Sequence, residues 1–272
     1  MSETPNPLNI SVGSCQMVPI LGNVDASLAE VKRALSWAQQ ESVDVICLPE
    51  CYLTGYCRTP EEARAHSIEL GSALFSRLIS ELRRFDPVVI LGLIERCGPK
   101  LFNSAVVVER GRVLGVYRKQ HLIEKAFSRG RESPVFERNG VKYGVNICYD
   151  ANFPEAATAL AEGGAKAIFY PLNNNLPHAT ARKWRSRHVE ILSARARERS
   201  VWVISADVVA RSPATTGYGC TAIINPDGRV IERCPELTTG YIRTAPRPDL
   251  LAQPAPPSGV SQGRLRPTPE GG

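Results

Sequence analysis

The stretch Val141-Lys142-Tyr143-Gly144-Val145-Asn146-Ile147-Cys148-Tyr149-Asp150 decides how this chain is read. Its apolar residues Val141, Tyr143, Val145 and Ile147 alternate with Lys142, Gly144 and Asn146, the two-residue period of a strand with one buried face. Cys148 ends that strand. Downstream, Pro154–Glu162 has Pro at its start and Gly163-Gly164 at its stop, which predicts a helix. Strand Ala167–Pro171, a helix over 180–199 and a strand over 201–206 follow. A closing hairpin, strands 220–225 and 229–232, turns on Pro226-Asp227-Gly228, where Pro fixes one dihedral and Gly tolerates the left-handed one.

The same order occurs upstream. A β-like run over 10–18 precedes Ser27-Leu28-Ala29-Glu30, read as a capping box that opens a helix reaching residue 41. Leu28, Val31, Leu35 and Ala38 recur on it at helical spacing. A strand over 43–48 ends at Pro49, which has no amide hydrogen to continue a ladder. After a loop come a helix over 73–85, a strand over 88–94, a hairpin of 103–108 and 113–117 around Arg110-Gly111, and a loop over 121–139.

Both halves therefore read β-α-β-α-β-β-β, and each mixed sheet has helices on one face only. Packing the bare faces together predicts an α/β protein, a four-layer α-β-β-α sandwich of two mixed sheets with internal pseudo-symmetry. Residues 1–245 form the domain in this reading, and 246–272 are a Pro/Gly-rich tail without periodicity.

Composition narrows the function. With 43% hydrophobic residues over 272 positions the chain has material for a core, which excludes disorder throughout. No apolar run reaches the roughly 18 residues of a membrane span, and residues 1–10 lack a basic stretch followed by an apolar one, so a cytoplasmic protein with no membrane partner is expected. A net charge of +6 leaves no concentrated basic footprint. The basic residues Arg182, Lys183, Arg185, Arg187, Arg195, Arg197 and Arg199 are interleaved with no aromatic except Trp184, so a solvated or subunit-facing helix is expected in place of a nucleic-acid surface. His178 and His188, on or near it, are read as surface or interface residues. Eight cysteines without a secretory signal suggest reduced thiols. Cys47, Cys51 and Cys57 form no CxxC pair and no cluster with the four histidines, so neither metal nor cofactor is expected.

Three polar residues lie just past strand ends: Glu50 after Leu48-Pro49, Lys119 after Tyr117-Arg118, and Cys148 after Asn146-Ile147. Ligands of open α/β sheets bind beyond the carboxyl ends of strands, so these three are expected to converge. Ile46-Cys47-Leu48-Pro49-Glu50 with Thr54-Gly55-Tyr56, Asn103-Ser104-Ala105, Tyr117-Arg118-Lys119-Gln120-His121-Leu122, and Ile147-Cys148-Tyr149-Asp150 with Phe153-Pro154-Glu155 resemble, in series, the motifs of the nitrilase superfamily of carbon-nitrogen hydrolases. The resemblance spans residues 10–241.

It implies a Glu-Lys-Cys triad of Glu50, Lys119 and Cys148, with Glu124 as a second carboxylate. The chemistry is coherent. A free thiol titrates near 8.5, so attack on an amide needs a base, supplied by Glu50, or a positive field, supplied by Lys119. Lys119 and the Tyr149 backbone amide then hold the oxyanion. Tyr56, Tyr149 and Asn173 are the candidate substrate-binding residues; Asn173 follows its strand where Glu50 follows its own in the other half. A papain-like pairing of His121 with Cys148 is set aside, because the resemblance gives His121 a structural role.

Cys148-Tyr149-Asp150 resembles the amidase and carbamoyl-hydrolase branches, whereas nitrilases usually place Trp-Glu after the nucleophile. The expected function is hydrolysis of a small amide or ureide through a thioester, releasing ammonia or an amine. The alternatives are a nitrilase and a catalytically idle interaction protein. Ala151 and Asn152 stand where branches acting on acidic substrates often carry Arg, which favours an uncharged or cationic substrate unless Arg58 or Arg129 supplies a clamp. The resemblance also implies a homodimer or larger homo-oligomer.

Overall fold

Alternation of side chains organises the computed structural model, which describes residues 8–244. The first half runs β1 (Val12–Met17), α1 (Val24–Gln40), β2 (Val45–Cys47), α2 (Pro60–His66), α3 (Ala73–Ser80), β3 (Val88–Cys97), β4 (Lys100–Glu109) and β5 (Arg112–Arg118). The second continues with β6 (Val135–Arg138), β7 (Val141–Val145), a 3-10 turn (Cys148–Asn152), α4 (Pro154–Glu162) and β8 (Ala167–Pro171). There follow β9 (Leu176–Pro177), α5 (His178–Trp184), α6 (Arg187–Arg199), β10 (Trp202–Arg211), β11 (Thr215–Tyr218), β12 (Ala222–Ile224), β13 (Val230–Arg233) and β14 (Gly240–Arg243).

Odd and even residues of each central strand enter different cores. Val45, Cys47, Val88, Ile90, Ala105 and Val107 meet Tyr143, Val145, Ala167, Phe169, Ile204 and Ile223 in a core between the two halves. Their sequence neighbours Ile46, Val89, Leu91, Val106 and Val108 pack instead on Leu28, Val31, Leu35, Phe75 and Leu78 of α1 and α3. In the second half Ile168, Tyr170, Val203 and Ile224 pack on Leu160, Leu192 and Ala196 of α4 and α6. Helix, sheet, sheet and helix are thus the four layers, each boundary set by the two-residue period.

One feature differs from two separate sheets. The hydrogen-bonded path runs β5-β4-β3-β2-β1-β10-β8-β7-β6, and β1 pairs with β10 in parallel through Gln16↔Asp207 and Met17↔Val208. The last strand, β14, returns to lie antiparallel on β1, with Gly13 opposite Arg243. No helix among the described residues is long and apolar enough to cross a membrane. The 246–272 tail lies outside the described residues.

Several boundaries correct the sequence reading. Helix α1 begins one turn before the expected Ser27-Glu30 box, because the Asn23 side chain already accepts the Ala26 amide at 3.0 Å. Ser27 is instead fully buried inside the helix, and Glu30 pairs with Arg33 at 2.6 Å. The capping box is in α2, where Thr59 accepts from the Glu62 amide behind Pro60. The helix expected over 73–85 ends at Ser80 and continues as tight turns closed by Leu82 N to Ile79 O and Phe85 N to Leu82 O. The helix expected over 180–199 breaks at Arg185–Ser186, since α5 packs on β9 and β11 whereas α6 packs on β10, β12 and α4. Within the expected loop 121–139, β6 pairs with β7 across Asn139 and Gly140, both left-handed.

Gly92 on β3 is required by close approach. A Cβ there would sit 2.5 Å from the Cys51 amide nitrogen and 2.7 Å from the Pro49 carbonyl oxygen, which flank Glu50. Gly92→Ala should therefore cost about 2–3 kcal/mol in urea unfolding, as overpacking against backbone does. Wild-type stability would mean that the loop carrying Glu50 is free to shift.

Candidate active site

Glu50 is carried past β2 by Leu48 and Pro49, and its own amide donates to the Leu172 carbonyl at 3.1 Å. Its Oε1 accepts from Lys119 Nζ at 2.7 Å and from Asn103 Nδ2 at 2.7 Å. Its Oε2 is buried and has no protein partner. Glu50 and Lys119 are each 2% exposed. Lys119 is fixed through its backbone as well: its amide donates to Asn103 and its carbonyl accepts from Gly130, both at 2.9 Å. Burial alone pulls the lysine's pKa down, but Glu50, and after it Cys148, outweigh this and hold the ammonium above its ordinary range.

Cys148 follows β7 at a sharp strand-to-turn corner and has a φ of +45°, a conformation costly for a residue with a Cβ. Asp150, completely buried, holds this corner. Its Oδ2 accepts from the Ile147 amide at 2.9 Å and from the Tyr117 hydroxyl at 2.8 Å. Its Oδ1 accepts from the His121 amide at 2.8 Å and lies 2.9 Å from His121 Nδ1. His121 is therefore engaged with Asp150, with its ring stacked on Phe153 at 3.8 Å. One carboxylate ties the cysteine's corner to the segment that bears Lys119. Burial, and next Glu50, push the Cys148 thiol well above its usual range; Lys119 and a hydrogen bond from the Asn173 amide act the other way. The proton stays on sulfur until a base takes it.

Cys148 is partly open to a cleft of about 180 Å³. Of the residues singled out from sequence, Lys119, Glu124, Cys148, Tyr56, Tyr149 and Asn173 line it. Glu50 is not part of the lining and is bonded to Lys119. Glu124 is brought near Glu50, and burial followed by that neighbour raises it to about 7. Its Oε2, like that of Glu50, has no protein partner. Arg58 donates to the Asn175 carbonyl at 2.6 Å, and Arg129 lines a different cleft.

Sequence reasoning missed Asn103 and Asp150, although both sit in motifs it used; what it lacked was the pairing geometry. It also read His188 as a surface or interface residue. His188 in fact lines the cleft and stacks on Trp184, whereas His178 bonds Thr216 Oγ1 and the Pro213 carbonyl. All eight cysteines are free thiols.

Glu124 gives a measurable consequence. An acid whose folded pKa is about 7 against an ordinary 4.5 binds its proton more tightly in the folded state, so it subtracts stability as pH rises through that window. Glu124→Gln removes the penalty. Its Tm should gain on wild type at pH 8 relative to pH 5; an equal offset at both would show that Glu124 ionises normally.

Comparison with known proteins identifies the family. The carbon-nitrogen hydrolase family model matches residues 11–253. A nitrilase of Pyrococcus abyssi is 30% identical over 84% of this chain and 86% of its own length. The 2-oxoglutaramate amidase of Bacillus subtilis is 30% identical over 74% and 78% respectively. Among solved structures, an amidase variant from Nesterenkonia sp. AN1 with acrylamide added at its active-site cysteine superposes with a TM-score of 0.73. That likeness is at 19% identity, over 88% of this chain and 94% of the other, and concerns the fold. The chain belongs to the carbon-nitrogen hydrolase family of the nitrilase superfamily.

Proposed function

We propose that this chain hydrolyses the C–N bond of a small amide or N-carbamoyl compound through a thioester on Cys148. One observation carries the reading: Glu50 Oε1 is occupied by Lys119 and Asn103, which leaves Oε2 as the basic atom of a buried pair that perturbs a raised, cleft-facing thiol. Glu50 takes the thiol proton as sulfur attacks the carbonyl carbon. The charge that develops on the carbonyl oxygen is held by Lys119 Nζ and the Tyr149 amide. When the tetrahedral intermediate collapses, the C–N bond breaks, Glu50 returns the proton to nitrogen, and ammonia or an amine leaves. Water then attacks the thioester, Glu50 takes its proton, and the sulfur departs as the thiol is restored. Glu124, a second carboxylate lining the same cleft, accepts a hydrogen bond from the substrate nitrogen in this reading.

The test is release of ammonia or amine from a panel of small amides, ureides and nitriles. Cys148→Ala should lower kcat at least 10⁴-fold. Lys119→Gln should lower it by roughly 10² to 10³, the usual worth of an oxyanion donor. It also strands the Glu50 carboxylate in the interior, with a loss of about 3–5 kcal/mol in stability. Release that survives loss of the thiol would refute the nucleophile, and nitriles outpacing amides would favour the nitrilase reading.

A further inference from the structure

The walls of the cleft say more about the substrate than the reacting groups do. Alongside the polar residues named above and Asn152, Asn174 and Thr180, they include Ile123, Leu172, Leu176, Trp184, Ile191 and Leu192. Five of these six apolar residues come from the segment between β8 and the middle of α6, with Trp184 on α5 and Ile191 and Leu192 on α6. His188 adds no charge, because burial pushes its pKa down to about 4 and leaves it a neutral ring against Trp184 at 5.7 Å.

Among the described lining residues Lys119 is therefore the one cation at neutral pH, and it is bonded to Glu50. The two arginines that sequence offered as carboxylate clamps are elsewhere: Arg58 is exposed and bonded to the Asn175 carbonyl, and Arg129 lines another cleft. Arg187 lies 5.9 Å from the Trp184 ring but is exposed and outside the lining. Glu124 contributes a carboxylate oxygen without a protein partner. A carboxylate on the substrate would face the Glu124 carboxyl, which is only partly ionised near neutral pH, and largely apolar walls, and would find no free cation among the described lining residues.

Resting on the amide-hydrolase reading, we propose that the cleft selects primary amides with a small, uncharged, apolar acyl group, and that Trp184 is a specificity-determining wall of the acyl site. Amides of dicarboxylic acids and N-carbamoyl amino acids, which carry a carboxylate, are discriminated against. The cleft volume of about 180 Å³ is below the roughly 300–1,000 Å³ of drug-sized sites, which fits a short branched chain.

The discriminating pair is 4-methylpentanamide and succinamate, in which an isopropyl group and a carboxylate occupy the same end of the chain. The expected result is kcat/KM at least 100-fold higher for 4-methylpentanamide. Trp184→Ala should lower kcat/KM for 4-methylpentanamide at least tenfold more than for acetamide, mainly through KM, since each buried methylene is worth roughly fourfold. Equal or better turnover of succinamate would overturn the inference while leaving the hydrolase intact. An equal loss for both amides in Trp184→Ala would reduce the tryptophan to a general structural role and overturn its assignment. If neither amide is cleaved, the hydrolase reading falls, and calorimetric binding of the same pair to Cys148→Ala protein still decides the inference. Tighter binding of 4-methylpentanamide would support it, and tighter binding of succinamate would overturn it.

Discussion

The contact between Lys119 and Glu50 constrains everything around it. Two charges withdrawn from water cost several kcal/mol each, and their attraction offsets that only where the geometry is close and the remaining polar atoms are satisfied. Here the arrangement is close but incomplete. Asn103 joins the lysine on one carboxylate oxygen, and its own side-chain oxygen accepts from the Cys51 thiol at 3.4 Å. The other carboxylate oxygen is left bare. A protein selected for stability alone would gain by filling this position with apolar atoms. A carboxylate oxygen without a protein partner, fixed by its neighbours, is instead what the proposed proton transfer to and from a substrate requires.

The loop after β8 relates the two halves of the site. The Leu172 carbonyl accepts from the Glu50 amide, and the Asn173 amide bonds the Cys148 sulfur. Asn174 donates twice to Asp207, from its backbone at 3.0 Å and its side chain at 2.8 Å. Asp207 is fully buried with a pKa raised by that burial to about 6, and it lies on β10 beside the join to β1. Glu50 and Cys148 come from opposite halves of the pseudo-symmetric fold, yet both are referenced to one short segment anchored at the seam.

Sequence made the layers and the candidate site legible for specific reasons. Strand periodicity forces alternate residues onto opposite faces, so apolar runs such as Val45-Ile46-Cys47 and Ala167-Ile168-Phe169 feed two cores, as the expected four layers require. Glu50, Lys119 and Cys148 stood out because each follows a strand end inside a motif that resembles those of the nitrilase superfamily. Some signals were present and unread: Asn139-Gly140 is a strong hairpin pair, and Thr59-Pro60-Glu61-Glu62 is a better helix start than Ser27 to Glu30. Others were not local. That Cys148 adopts a left-handed backbone, that Asp150 clamps it to His121, and that Trp184 and Ile191 reach the cleft from both sides of a break between helices depend on contacts across 29 or more residues, or on packing that periodicity does not encode.

The return of β14 to β1 bears on how the protein is made. Thr244 donates to the Val12 carbonyl at 2.9 Å, and Gly13 to Gln16 take partners at 240–243. A chain emerging from the ribosome presents β1 long before β14, its antiparallel neighbour, which leaves the exit tunnel only after the intervening strands and helices have been synthesised. Until then β1 keeps an open edge, the kind that pairs with strangers. Folding that waits on contacts so distant in sequence is slow. The nascent chain is accordingly exposed to aggregation, and to chaperones, during the interval between translating β1 and translating β14.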